Sequence, residues 1–124
     1  MEQLSTAGID VSLFIAPERR QILAARQSGV SIIELHTGKY ATTGSRSIRQ
    51  RELSKLKEAA RYAQSIGLTV AAGHGLTYTN TLPIARIPGM KELNIGHSII
   101  SQAVFTGLKK AVRDMRTLAR GLAL

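Results

Sequence analysis

Three histidines are the residues of this chain best suited to acid–base chemistry, and each follows a short apolar run. His36, His74 and His97 all come at the end of a predicted β-strand, beside glycine or a small hydroxyl residue. An imidazole changes its charge near neutral pH, so it can donate or accept a proton during a reaction. Parallel α/β sheets carry their ligand sites at the edge where the strands end. The alternative is that each ring only satisfies a local hydrogen bond, above all at His36.

Glycine-containing turns make two of these positions more specific. In Gly73-His74-Gly75, glycine on both sides allows unusual backbone angles and the close approach of a ligand. The turn Gly96-His97-Ser98 leads into a predicted helix, whose free N–H groups and positive dipole end suit a phosphate. The sequence therefore predicts proton transfer at His74 and an anion site beside it.

An acidic residue lies close to the first histidine. Glu34 precedes His36 by two residues, so both side chains share one face of the predicted strand. Because an unpaired buried carboxylate is costly, Glu34 is either paired or functional. Zinc accepts three imidazoles and a water. However, no two histidines have the close spacing of metal ligands, and we predict no metal site.

An alternation of strands and helices, repeated four times, positions these residues. Strands are predicted over 11–15, 31–36, 68–72 and 92–95. The first helix is predicted over 18–28, opened by Pro17 and ended by Gly29. A second helix ends at Gly67, and a final helix follows the fourth strand. Loops are predicted over 39–47 and around Pro83 and Pro88. The final helix has an apolar stripe formed by Val104, Leu108, Ala111, Val112, Met115, Leu118 and Leu122.

This rhythm predicts an α/β fold with a parallel sheet and right-handed crossovers, built as a single unit over 1–124. Two layouts fit: an open doubly wound sheet, or half of a (β/α)8 TIM barrel with about four βα units. A whole barrel takes roughly 250 residues. An isolated half would leave strand edges unpaired, so it would need another chain or the missing half of its own.

Composition limits the class of protein. Cysteine is absent from the 124 residues, which excludes disulfides and thiolate metal sites and suits a reducing compartment. No apolar stretch approaches the roughly 20 residues of a membrane span. The first residues do not have the pattern of a signal peptide, so we expect a soluble, cytoplasmic protein.

The charge balance is strongly basic, with 17 Lys and Arg against 8 Asp and Glu, a net charge of +9. These charges concentrate over 46–61 and 109–120, in helical patterns. A solvated helix surface is the favoured interpretation, and attraction of anionic substrates or nucleic-acid binding are the alternatives. Few aromatic residues interrupt the basic segments, which argues against a nucleic-acid partner.

Four segments resemble successive signature blocks of the pyridoxine 5'-phosphate synthase family, in that family's order and spacing. They are Val-Ser-Leu-Phe-Ile at 11–15, Ile-Glu-Leu-His-Thr-Gly at 33–38 with Tyr40-Ala41, Ala-Gly-His-Gly-Leu at 72–76 with Tyr78, and Glu-Leu-Asn-Ile-Gly-His-Ser-Ile-Ile at 92–100. The resemblance runs from about Gly8 to the final helix. It implies that the chain is the second half of a (β/α)8 barrel.

The resemblance also implies an activity. Members of this family condense 3-amino-2-oxopropyl phosphate with 1-deoxy-D-xylulose 5-phosphate, giving pyridoxine 5'-phosphate, phosphate and water without an organic cofactor. By position, His74 matches the proton donor, and Gly75, Gly96 and His97 match contacts to the amino-ketone phosphate. Glu34 matches an inward-facing acid that assists charge stabilisation. The family forms homo-oligomers, which the resemblance extends to this chain.

The chain departs from the family at several positions. Ala16 stands where the family usually has Asp, and Ala71 and Thr77 stand where it has Asn, which is expected to loosen hydrogen bonding around His74. The family's catalytic bases, a histidine and a glutamate, belong to the N-terminal half, as do most sugar-phosphate contacts. The resemblance therefore implies a fragment with little or no turnover alone. A non-catalytic phosphate-binding half-barrel is the alternative.

Overall fold

Strands and helices alternate along the chain as the sequence predicts, in a computed structural model that describes residues 2–122 and 124. The strands are β1 Ser12–Ile15, β2 Ile32–His36, β3 Thr69–Gly73 and β4 Met90–Asn94. The helices are α1 Glu2–Thr6, α2 Arg19–Gln27, α3 Gly38–Thr42, α4 Arg46–Ser65, α5 Thr81–Ala85, α6 His97–Thr106 and α7 Leu108–Ala119. The predicted α/β fold is confirmed.

All pairings in the sheet are parallel, and the strands lie side by side in chain order, β1-β2-β3-β4. Phe14, Glu34 and Ala71 are register neighbours on adjacent strands. An irregularity at Val70 and Ala71 then shifts the register of β4. Because the strands are parallel and adjacent, their carboxyl ends meet along one edge of the sheet.

One face of the sheet packs against helices. Successive side chains of a strand point to opposite faces. On one face Ile33, Leu35, Val70 and Ala72 are fully buried. They belong to one apolar cluster with residues of α2, α4 and α5, among them Ile22, Ala25, Leu53, Leu56, Ala60, Ala63 and Ile84. Burying each large aliphatic side chain contributes about 1.5–3 kcal/mol, so this face holds the fold together.

The other face of the sheet is open. Phe14 of β1 is 52% exposed, Asn94 of β4 is exposed, and Glu34 and His36 of β2 are only partly buried. The sheet thus has a packed face and an accessible face, and the polar residues singled out in β2 belong to the accessible one.

The predicted helix ends at Gly29 and Gly67 are confirmed: α2 ends at Gln27 and α4 at Ser65, and the two glycines just beyond adopt φ of +89° and +82°. The predicted loops are wrong in part. Helix α3 occupies the start of the 39–47 segment, and α5 contains Pro83 as its third residue. Proline is tolerated there because the first-turn N–H groups have no partner inside a helix.

The predicted single C-terminal helix is also wrong, because Gly107 divides it into α6 and α7 with a φ of +78°. The apolar stripe divides with it: Ala111, Met115 and Leu118 are buried, whereas Val104 is 80% and Leu108 56% exposed. Helix α7 packs on α5. None of the described helices is both long and apolar enough to cross a bilayer.

Candidate functional site

An open cleft of about 550 Å³ lies at the carboxyl edge of the sheet. Its lining includes Glu34, His74, Gly75, Gly96 and His97. The structure therefore brings together all five residues that the sequence analysis assigns to a site. They come from β2, the turn after β3 and the turn after β4.

His74 stands at the rim of this cleft in a left-handed backbone conformation. Its φ of +83° makes it the sole non-glycine residue with positive φ in the described part of the chain. Such a conformation costs a side-chain-bearing residue about 1–2 kcal/mol, so the surrounding structure must hold it. The strain is consistent with a residue kept in place for its chemistry.

Thr37 holds the backbone of His74 in this left-handed conformation. Its side chain is fully buried, and its hydroxyl oxygen lies 2.6 Å from the carbonyl oxygens of both Gly73 and His74. Its N–H donates to the Gly73 carbonyl at 2.9 Å. Sequence reasoning missed Thr37, since a threonine after a strand looks like an ordinary turn residue.

The loop after His74 is fixed by a hydrogen-bond network around the buried Asn80. The Asn80 amide donates to the Gly75 carbonyl at 3.3 Å and accepts from the Thr77 N–H at 2.7 Å. The Tyr40 hydroxyl donates to the Asn80 carbonyl at 2.7 Å. Gly75 has a φ of +76°, and an added Cβ would lie 2.9 Å from Ala41. A glycine is therefore needed at position 75 for both angle and space.

The start of α6 closes the opposite side of the cleft. Gly96 is its N-cap residue, and none of the described side chains caps this end. The helical ladder begins with the Ile100 N–H donating to the Gly96 carbonyl, so the N–H groups before it have no partner within the helix. Ser98 donates its hydroxyl to the Leu76 carbonyl at 2.7 Å, which ties α6 to the loop after β3. Exposed N–H groups and the dipole at this end suit an anion.

Glu34 reaches across the sheet from the floor of the cleft. Its Oε2 accepts a hydrogen bond from the Asn94 amide at 2.8 Å. Its Oε1 occupies the space that a Cβ on Gly73 would need, so glycine at that position makes room for the carboxylate. The partner of Glu34 is thus a neutral amide rather than a cation, which leaves its negative charge available to the cleft.

His36 lies beside the cleft and lines a smaller neighbouring pocket of about 240 Å³. Its Nδ1 accepts a hydrogen bond from the Gly38 N–H at 3.1 Å, as the local alternative for this residue supposes. Its ring stacks on that of His74, with centroids 4.6 Å apart. Burial lowers the pKa of His36, and the nearby His74 lowers it further.

The cleft carries side chains that can transfer protons. Among residues 2–122 and 124, no three His, Asp or Glu side chains lie close enough together to hold a metal ion. An imidazole and a carboxylate can exchange protons with a ligand whose anionic group is held at a helix N-terminus. The fold and the cleft together define a parallel α/β protein with a histidine-bearing cleft at the carboxyl edge of its sheet.

Comparison with known proteins gives the family. Residues 1–121 match the family model described as pyridoxal phosphate biosynthesis protein PdxJ, and the chain belongs to this family. It is 59% identical over 121 residues to a pyridoxine 5'-phosphate synthase of Synechococcus sp., covering 98% of this chain and 50% of that protein. It is 57% identical over 116 residues to the protein of the same name from Idiomarina loihiensis, covering 94% and 48%. The chain thus spans about half the length of the curated relatives it matches.

Proposed function

We propose that this chain is the C-terminal half of a pyridoxine 5'-phosphate synthase and that it supplies the general acid and a phosphate site to the assembled enzyme. The whole enzyme would condense 3-amino-2-oxopropyl phosphate with 1-deoxy-D-xylulose 5-phosphate. Family membership supports the activity, and the half-length match supports the division into halves. The observation that carries the proposal is the cleft shared by Glu34, His74, Gly75, Gly96 and His97.

The proposal includes a (β/α)8 barrel, of which these four strands form one half. Strand order follows chain order without reversal, whereas a doubly wound sheet reverses its order at a switch point. The described helices α2, α4 and α5 share one apolar cluster on a single face of the sheet, as in the outer ring of a barrel. The open face would become the barrel interior, and β1 and β4 would pair with the remaining strands.

His74 is proposed as the general acid. A condensation that expels water and phosphate needs a proton for each departing oxygen, and an imidazole at the cleft rim can deliver it. Its left-handed backbone is held by Thr37, and its neighbour Gly75 leaves open space beside it. Correct placement and proton donation by such a residue contribute about 100- to 10,000-fold to rate.

Gly75, Gly96 and His97 are proposed to bind the phosphate of the amino ketone. Gly96, His97 and Ser98 at the start of α6 line the same cleft as the His74 turn, and the helix dipole favours negative charge there. The hydrogen bond from Ser98 to the Leu76 carbonyl fixes the distance between the two turns. A phosphate held at α6 would therefore keep its substrate within reach of His74.

Glu34 is proposed to stabilise positive charge that develops on the amine-bearing substrate. It lies on the open face of the sheet and lines the same cleft as His74, and one of its oxygens accepts a hydrogen bond from Asn94. The wider biological setting belongs to the same proposal: a cytoplasmic homo-oligomer with small phosphorylated substrates and no nucleic-acid partner.

The proposal is tested by assembling the enzyme from two pieces. The chain is produced together with the N-terminal half of the Synechococcus relative, and pyridoxine 5'-phosphate is measured by chromatography. We expect product from the pair and little from either piece alone. His74→Ala should lower kcat about 100-fold or more, whereas Thr42→Val, on the exposed side of α3, should leave it unchanged.

Two results would decide against the proposal. If the assembly carrying His74→Ala kept the wild-type kcat, His74 would not be the general acid. An assembly that binds inorganic phosphate, with binding lost in Gly96→Pro, but forms no product would support the non-catalytic phosphate-binding module instead.

A further inference from the structure

Three aromatic rings lie close together across neighbouring strand ends at the rim of the cleft, and two of them are stacked. The rings of His36 and His74 have centroids 4.6 Å apart and planes inclined by 26°. The ring of Phe14, at the end of β1, lies 4.9 Å from that of His36 and 6.4 Å from that of His74. The His36 ring is the middle one of the three, stacked on His74 and tilted by 36° to Phe14, and the proposed function gives it no role.

His36 is held more firmly than a surface histidine. Its Nδ1 accepts the Gly38 N–H, which requires that nitrogen to be unprotonated, so the neutral ring carries its hydrogen on Nε2. Gly38 is buried, and a Cβ added there would collide with the His36 ring and lie 3.2 Å from His74 Cδ2. The space between Gly38 and the two rings is therefore fully used, and His36 presents a fixed plane to His74.

The groups that face this pair are few and are arranged asymmetrically. Burial lowers the pKa of His36 most, and the neighbouring His74 and, least, Lys39 of α3 lower it further. A backbone hydrogen bond at His36 and then Glu34 on the same strand oppose them. Two stacked imidazolium rings would repel each other. This arrangement therefore favours the neutral form of the His36 ring, whose Nδ1 accepts the Gly38 N–H.

We propose that His36 is a positioning residue for His74, whose ring it holds in a fixed plane at the rim of the cleft. The catalytic consequence rests on the proposed function, in which His74 donates a proton to the bound substrate. The stack itself does not depend on that function, because it is a property of the chain alone. Removing the His36 ring would free the His74 side chain to rotate out of reach of the substrate.

The stack is tested first without any enzymatic assay, by NMR titration of the imidazole nitrogens in the chain labelled with ¹⁵N-histidine. The sequence contains three histidines, so the ring signals can be assigned with single substitutions. His74→Gln should raise the pKa of His36, because the neighbouring charge that depresses it is gone. His97→Gln is the matched control, and the pKa of His36 should stay where it is in the wild type. An unchanged His36 titration in His74→Gln would overturn the proposal.

The positioning role is then tested by kinetics of the two-piece assembly. His36→Ala removes the ring, and we expect kcat to fall about 10- to 100-fold while KM for the phosphorylated substrates stays within about two-fold. His36→Phe keeps a flat ring next to Phe14 and should recover most of the lost kcat. Thermal unfolding of each variant shows whether a loss of kcat merely follows a loss of folded protein.

The outcomes separate this inference from the proposed function. If His36→Ala retains the wild-type kcat, or if His36→Phe is as impaired as His36→Ala with the fold intact, His36 does not position His74. If instead the wild-type assembly forms no product, the proposed function fails, and the NMR titration still decides whether the two rings are coupled.

Discussion

The two faces of the sheet divide stability and chemistry between alternate residues of the same strands. In β2, Leu35 is fully buried against the helices, while its neighbours Glu34 and His36 point to the open face and line the two pockets. The packed face tolerates only well-fitting apolar side chains. The open face is released from that demand, so it can hold a carboxylate and an imidazole in functional positions. A single strand thereby meets two requirements that would conflict on one surface.

The largest predicted effect contrasts the two faces directly. Leu35→Ala should lower the free energy of unfolding by about 2–5 kcal/mol, because it opens a cavity in the sealed core. Phe14→Ala removes a larger side chain that is half exposed, and in the same chain it should cost less than about 1 kcal/mol. Urea denaturation followed by circular dichroism measures both. Similar losses for the two variants would show that the faces are not distinct.

Pairing of the chain with the N-terminal half should change the cost of Phe14→Ala but not that of Leu35→Ala. In a closed barrel the open face becomes interior, so Phe14→Ala should become more destabilising in the assembly than in the chain alone. The cost of Leu35→Ala should be the same in both, because the helices already cover that position.

The next effect concerns Thr37, which acts as a clamp because its hydroxyl holds the backbone carbonyls of Gly73 and His74. Thr37→Val keeps the shape of the fully buried side chain but deprives the part-buried His74 carbonyl of its hydrogen-bond donor, and it should cost about 1–3 kcal/mol. Thr42→Val is the matched control. Its hydroxyl bonds the Gly38 carbonyl from an exposed position, so the change should stay within about 0.5 kcal/mol. Equal effects at both positions, measured by urea denaturation, would contradict the assignment of Thr37 as a clamp.

Thr37 also shows where sequence reasoning ends. The strand alternation and the common edge of the histidines could be predicted because period-two patterns and chain order follow directly from residue type. The role of Thr37 depends on which carbonyls lie opposite it, and β3 is more than 30 residues away in the chain. Nothing in the local pattern contains that information.

The break at Gly107 was missed for a related reason. The apolar stripe from Val104 to Leu122 has a helical period across the glycine, and a single interior glycine is tolerated in a helix at about 1 kcal/mol. The positive φ at Gly107 redirects the chain so that Met115 and Leu118 are buried, while α6 keeps Val104 and Phe105 exposed. Whether such a glycine continues or ends the helix is decided by tertiary packing.

A smaller effect tests the strained backbone at the open face. At a φ of +83°, glycine is more favourable than alanine, so His74→Gly should be more stable than His74→Ala by about 1 kcal/mol. At His97, which begins α6, the order should reverse, with glycine less stable by up to about 1 kcal/mol. Thermal unfolding of the four variants gives the comparison. The same order at both positions would mean that position 74 is not strained.

The smallest effect is a pH dependence that arises from the open face alone. The pKa of His36 is lowered in the folded chain, by burial and then by His74, below its ordinary value of about 6.5. Between these two values the unfolded chain binds a proton that the folded chain does not, so stability falls as the pH decreases through that window and then levels off.

His36→Phe removes this difference, whereas His97→Phe keeps the stacked pair. The free energy of unfolding at pH 7.5 and at pH 5 is compared among the three proteins, and His97→Phe controls for the loss of a histidine outside the stacked pair. The decrease should be smaller in His36→Phe than in the wild type and in His97→Phe, and an equal decrease in all three would show that the stack does not keep His36 neutral.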